Sequence, residues 1–225
     1  MNTTIHWTGK LLDVLINADR AGAAELINQA LAEGISPDRA ITEILDPALV
    51  QLGRLWENKT VSLAQNFVAA KIAEDILLRC LPDAGAAPRV PSQGPVVLGN
   101  IEDDFHSLGR RVVASFLRAA GWEVHDLGND VPAEQFVDKA IEVKAVVVGA
   151  SAMMQTTALN IRELRDVIDA RGLQGRLKLA VGGAVFNWRP DLVAEVGGDG
   201  TAGNAAAADA LFQRLRTEAK GEPTP

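Results

Sequence analysis

The sequence predicts an α/β protein in which an N-terminal four-helix bundle is followed by a five-stranded, parallel, doubly wound domain. Three observations carry this reading. Apolar residues recur at helical spacing through about residue 80, and a stretch rich in proline, glycine and alanine then interrupts the pattern. Beyond it, short apolar runs alternate with amphipathic segments, the rhythm of βαβ units. A chain of 225 residues with 48% hydrophobic content is long enough to build two modest cores.

In the first part, Leu11, Leu12, Leu15 and Ile16, then Leu26, Ile27, Ala30 and Leu31, then Ile41, Ile44, Leu45, Leu49 and Leu52 each mark one helical face. Ser36-Pro37 reads as an N-cap with proline at the first helical position, and Gly34 suits the end of the preceding helix. A fourth helix is expected from about Ser62 to Cys80, so residues 1–81 form the expected helical domain. Residues 82–95, with prolines at 82, 88, 91 and 95 among glycines and alanines, form the expected linker. Strands are expected at 96–99, 123–127, 145–149, 177–181 and near Gly200, each followed by a helix. The α/β domain is expected over 96–217 and a disordered tail over 218–225.

A formal net charge of −7 gives no general attraction to nucleic acid or to an anionic membrane surface. No run approaches the ~18 apolar residues of a membrane span, and Met1-Asn2-Thr3-Thr4 opens without a basic patch, so a cytoplasmic protein is expected. One cysteine, Cys80, excludes an internal disulfide and reads as a packed thiol at a helix end.

In open parallel sheets, ligands bind where loops meet at the carboxyl ends of the strands. Three such loops stand out: 100–109 after the first strand, 150–154 after the third and 182–184 after the fourth. Asp104 and His106, one residue apart in what reads as an extended loop, can turn to the same side. A carboxylate there would fix the tautomer of a metal-binding imidazole. Ser151 is expected to extend that relay. Gly109 would let a bulky ligand approach the helix start, and Gly182-Gly183 would clear side chains at the fourth strand. Alone, an Asp-x-His pair is more often a hydrogen-bonded surface loop; the three loops in register favour a site.

The segment Asp104-Phe105-His106-Ser107-Leu108-Gly109 resembles the Asp-x-His-x-x-Gly signature of cobalamin-binding domains, as in methionine synthase and corrinoid methyltransferase proteins. Ser151-Ala152-Met153 is similar to the family's Ser-x-Leu, with methionine for leucine, and Gly182-Gly183 to its Gly-Gly. The resemblance covers residues 9–216 and implies a flavodoxin-like cobalamin-binding domain beneath a helical cap. It further implies cobalamin bound base-off with His106 as the lower cobalt ligand, Asp104 and Ser151 tuning the imidazole, and a tail pocket of small residues and hydroxyls. Thr156 and Thr157 are candidates for that pocket and equally for helix caps.

Residues 52–67 are similar to the family's cap segment, which would close over the upper face of the corrin. Trp56 is a candidate for contact there, although a tryptophan following Leu52 and Leu55 also fits a bundle core. Related light sensors carry a Glu-His pair where this chain has Asn66-Phe67. Arg110 stands where methyl carriers often have lysine. Trp7, Trp122 and Trp188 read as structural or exposed, and His6 and His125 as lacking partners comparable to those of His106. Two functions follow from the resemblance: a methyl-carrying corrinoid subunit, served by partner methyltransferase and reactivating enzymes, or a cobalamin-dependent sensory module that changes assembly through its helical cap. No acid, base or nucleophile for substrate chemistry is recognisable.

Overall fold

The computed structural model describes residues 3–81 and 91–220, which divide into two compact units, Met1–Ala84 and Gly85–Pro225.

The first unit is helical. α1 (Thr3–Ile16) and α2 (Arg20–Ala32) precede a composite helix made of α3 (Pro37–Arg39), a π-helical stretch (Ala40–Leu45) and α4 (Asp46–Glu57). α5 (Leu63–Arg79) completes it, so the third expected helix is a composite rod with a wide turn inside. Pro47 explains the wide turn, since it has no N–H for the carbonyl of Glu43 four residues earlier. The Thr8 hydroxyl donates to that carbonyl at 3.1 Å. Ser36 caps α3, and Ser62 forms a reciprocal capping box with Gln65 at the start of α5. Leu11, Leu15, Ile27, Ile44, Ile72 and Ile76 are fully buried in the core between these helices, with Cys80 and Trp7 at its edge. Burial pushes the Cys80 thiol pKa up, which keeps it protonated and unreactive.

The second unit is a parallel sheet of β1 (Gly94–Asn100), β2 (Trp122–Asp126), β3 (Val147–Ser151), β4 (Lys178–Gly182) and β5 (Gly200–Thr201) in the order β2-β1-β3-β4-β5. Side-chain alternation feeds two cores. Val97, Val148, Leu179 and Val181 face α7 (Ala133–Val143) and α9 (Ile161–Ala170). Val96, Leu98, Val147 and Ala180 face α6 (Ser107–Ala119) and α12 (Ala208–Lys220). Helices on both faces make the sheet doubly wound. Chain order reverses between β1 and β3, and this switch point is where the fold opens a crevice.

Several expected boundaries move. Gly94 and Pro95, placed in the linker, pair with Trp122 and Glu123 and so begin β1; residues 82–90 lie outside the described residues. The third strand starts at Val147, because Lys144 takes the left-handed conformation and Ala145 N–H closes α7 on Ala140. The fourth ends at Gly182, not at 181. Residues 218–220, expected in a tail, continue α12, where Ala219 is buried; 221–225 lie outside the described residues. α8 (Gln155–Leu159), α10 (Ala184–Trp188) and α11 (Leu192–Glu195) are short turns in the connections.

Candidate functional site

Parallel register places Asn100 beside Ser151 and Ser151 beside Gly182, one row across the carboxyl ends of β1, β3 and β4. The loops after these strands meet above that row.

At its centre, Asp104 is wholly inaccessible to solvent. One oxygen, Oδ1, accepts from Asn100 Nδ2 at 2.7 Å and from the His106 backbone N–H at 2.9 Å. The other, Oδ2, accepts from the Met153 backbone N–H at 2.7 Å and from Thr157 Oγ1 at 2.9 Å. Four donors converge on the two oxygens of one carboxylate and fix its position. Burial by itself pushes the Asp104 pKa up, but the bonds from Met153, His106, Asn100 and Thr157 outweigh it and hold the group below the usual carboxylate range. Asp104 is therefore a fixed negative charge.

His106 is the N-cap residue of α6, and its side chain is 55% exposed with Nδ1 at 3.4 Å from Asp104 Oδ1. A carboxylate behind Nδ1 favours the proton there and leaves Nε2 as a free electron pair. The loop is a tight turn, not the extended segment expected: Asp103 sits at φ +66°, Asp104 N–H bonds Ile101 O, and Asp103 N–H is held by Asp130 Oδ1 at 2.8 Å. The shorter bond from His106 to the carboxylate thus comes from its backbone.

The expected relay also changes at its far end. Among the described residues, the hydroxyl that reaches Asp104 belongs to Thr157, while Ser151 occupies the neighbouring strand end without a side-chain bond to the carboxylate. Strand register explains this: Ser151 is the last residue of β3, whereas Thr157 lies on the following turn with its hydroxyl returning to the loop. Thr156 is exposed. Met153 reaches the carboxylate through its backbone, and its side chain is exposed with those of Met154 and Phe105.

Gly183, at φ +119°, admits no side chain, since a Cβ would stand 1.9 Å from Ala152 O. Gly182 and Gly109 instead face open space, with nothing within 4 Å of where a Cβ would be. Ser107 and Leu108 are half-buried at the head of α6. Trp56 belongs to α4 of the helical unit and is half-exposed there, so it is not a core residue of its unit.

Arg110, in the first turn of α6, is buried: its Nε donates to Asn100 Oδ1 at 2.7 Å and its Nη2 to Asn129 Oδ1 at 3.1 Å, and Nη1 pairs with Asp126. Asn100 and Asn129 were not legible as site residues, because an asparagine at a strand end or in a turn is ordinary. His125, read as lacking a comparable partner, has Nε2 at 2.9 Å from Glu123 Oε1, on an exposed stretch of β2.

Among the described residues no group of three or more His, Cys, Asp or Glu side chains could hold a metal ion. A single imidazole fits a metal that arrives with its other ligands already in place, as in a macrocycle. Open space at Gly109 and Gly182, and the apolar side chains of Phe105, Met153 and Met154, fit a large group with an apolar edge. The same described residues contain no helix long and apolar enough to cross a membrane.

Comparison with known proteins identifies the family. A family profile described as B12 binding domain matches residues 94–211, and a second with the same description matches residues 8–80. Trimethylamine corrinoid protein 1 of Methanosarcina mazei is 33% identical over 193 residues, covering 84% of this chain and 89% of that protein. Dimethylamine corrinoid protein 3 of Methanosarcina acetivorans is 33% identical over 211 residues, 92% of this chain and 95% of that one. Among solved structures, the monomethylamine corrinoid protein of Methanosarcina barkeri superposes with a TM-score of 0.74 at 28% identity, covering 95% of this chain and all of that one.

Proposed function

The chain belongs to the B12 binding domain family, with cobalamin as its cofactor, and from that premise we propose that it is the methyl-carrying corrinoid subunit of a multicomponent methyltransferase system. The carrying observation is the outward imidazole of His106 backed by the fixed, buried carboxylate of Asp104. Bound cobalamin supplies a cobalt that takes a methyl group from one molecule and gives it to another.

The chain's own residues do the rest. His106 Nε2 would hold the cobalt, Asp104 would keep the proton on Nδ1, and Thr157 and the Met153 N–H keep the carboxylate from turning away. Ser107, Leu108 and Gly109 would lie against the group beside the histidine, and Ser151, Gly182, Gly183 and Thr156 would line the path of its tail. Curated relatives over most of the chain are corrinoid proteins named for methylated amines, which supports a carrier that takes its methyl group through a partner methyltransferase. Reactivating enzymes would serve such a carrier, and the helical unit is the part through which copies of the chain would associate.

Reconstitution with cobalamin tests it. Stoichiometric uptake, nitrogen coupling in the paramagnetic resonance of the Co(II) form, and a visible spectrum that changes with a methyl donor after reduction and reverts with an acceptor are expected. Uptake with no response to methyl donors, together with a change of assembly on loading or illumination, would overturn the carrier reading in favour of a sensor.

A further inference from the structure

We infer that Arg110, acting through Asn100, is a positioning residue that sets the direction of the hydrogen bonds around His106; the inference rests on His106 being the cobalt ligand. Arg110 occupies a costly place. It is buried in the first turn of a helix, where the dipole disfavours a cation. Burial, and then the like charges of Arg111 and Arg118, lower its pKa, although a guanidinium stays protonated throughout the accessible range. Three acceptors hold it, and two of them, Asn100 and Asn129, bond onward to the histidine loop.

The link through Asn100 has a definite polarity. A carboxamide can present either its oxygen or its nitrogen to a given neighbour. Arg110 Nε can only donate, so Asn100 Oδ1 must face it, and Asn100 Nδ2 is thereby turned toward Asp104 Oδ1 and His106 O, at 2.7 and 3.1 Å. Reversing the amide would set two acceptor oxygens 2.7 Å apart in a buried site. The guanidinium thus anchors the oxygen end of the amide while Asp104 and His106 take its nitrogen end, so the Asp104 oxygen nearest the imidazole receives a donor from behind.

The other arms work on the neighbouring loop. Asn129, bound by Nη2, donates to Phe105 O at 3.4 Å, and the adjacent Asp130 donates its N–H to Asp104 O at 3.1 Å. With Asp126 on Nη1, Arg110 fastens the β2–α7 connection to the turn that carries the histidine. One planar, three-armed cation can hold all of these at once; an ammonium cannot match its geometry.

The experiment compares wild type, Arg110→Met, Arg110→Lys and Asn100→Asp. Nitrogen NMR of the cobalamin-free protein in alkaline solution reads the His106 tautomer directly. Wild type should hold the proton on Nδ1, Arg110→Met should give a mixture, and Arg110→Lys should recover part of the wild-type signal. In the loaded protein, Arg110→Met should weaken histidine-on binding by about tenfold, the lower end of what outer-shell partners contribute. Asn100→Asp keeps a partner for Arg110 while opposing Asp104, so it should show the same loss even if Arg110→Met fails to fold. An unchanged tautomer and unchanged cobalt nitrogen coupling in a folded Arg110→Met or Asn100→Asp protein would overturn the inference. Absence of cobalamin uptake by wild type would instead sink the proposed function, while the tautomer in the cobalamin-free protein would still decide whether Arg110 directs the relay.

Discussion

The chain contains two carboxylate-x-histidine pairs, Asp104-Phe105-His106 and Glu123-Val124-His125, and they differ in everything except spacing. In β2, residues two apart project from the same face, so His125 and Glu123 meet at 2.9 Å as a matter of strand geometry, both reaching solvent. At the head of α6 the imidazole is farther from its carboxylate, 3.4 Å, yet that carboxylate is inaccessible to water and bound by four donors from two stretches of chain, 100–106 and 153–157. Distance between the two side chains does not distinguish a site from an incidental pair. What distinguishes it is whether the carboxylate is committed to one position while the imidazole remains open.

The largest difference is expected at the histidines themselves. His106→Ala should abolish the nitrogen coupling of the Co(II) form, whereas His125→Ala should leave it intact; in paramagnetic resonance of both loaded proteins, loss of the signal in the second variant would erase the distinction. Next in size are the carboxylates. Asp104→Asn places an amide where four donors converge, and should weaken histidine-on cobalamin binding by about 10–100-fold. The same variant should lower stability by about 1–3 kcal/mol in urea, because donors are left facing a donor. Glu123→Gln should stay within about 0.5 kcal/mol of wild type.

Thr157→Val should cost about 1 kcal/mol by the same measurement, and Ser151→Ala less, since only Thr157 reaches the carboxylate. The smallest effect is acid sensitivity. Because Asp104 is held below its ordinary range, its contribution is fully present above the pKa of an unfolded aspartate, about 4, and fades as pH falls through the lower folded value. Acid unfolding of wild type beside Asp104→Asn should therefore converge at the lowest pH and separate above about pH 4.

Much of this was legible in the chain. The strands were readable because Val96, Val97 and Leu98 are buried on both faces, which demands an unbroken apolar run. The helices were readable because their caps are local. The ligand loop was visible through a side-chain pattern, but the residues that hold it were not. Thr157 is 53 positions from Asp104 and Arg110 meets Asn129 nineteen positions away, and no short-range pattern marks such encounters. Met153 acts through its backbone, for which residue type carries no signal. The strand before it, β3, starts two residues later than expected because a helix end, Lys144 in the left-handed conformation, consumes the start of the apolar run.

The Thr8 hydroxyl on the carbonyl of Glu43 has a consequence for how the helical unit assembles. Layers of leucine and isoleucine alone would tolerate α1 sliding by a full turn along the composite helix, since one apolar layer resembles the next. Such a slip, about 5.4 Å, would carry the hydroxyl out of reach of that carbonyl and forfeit a bond of about 1 kcal/mol in a buried setting. Proline at 47 thus creates, 39 positions from Thr8, the tooth into which that threonine locks, and the helices acquire an axial index that greasy contacts cannot provide.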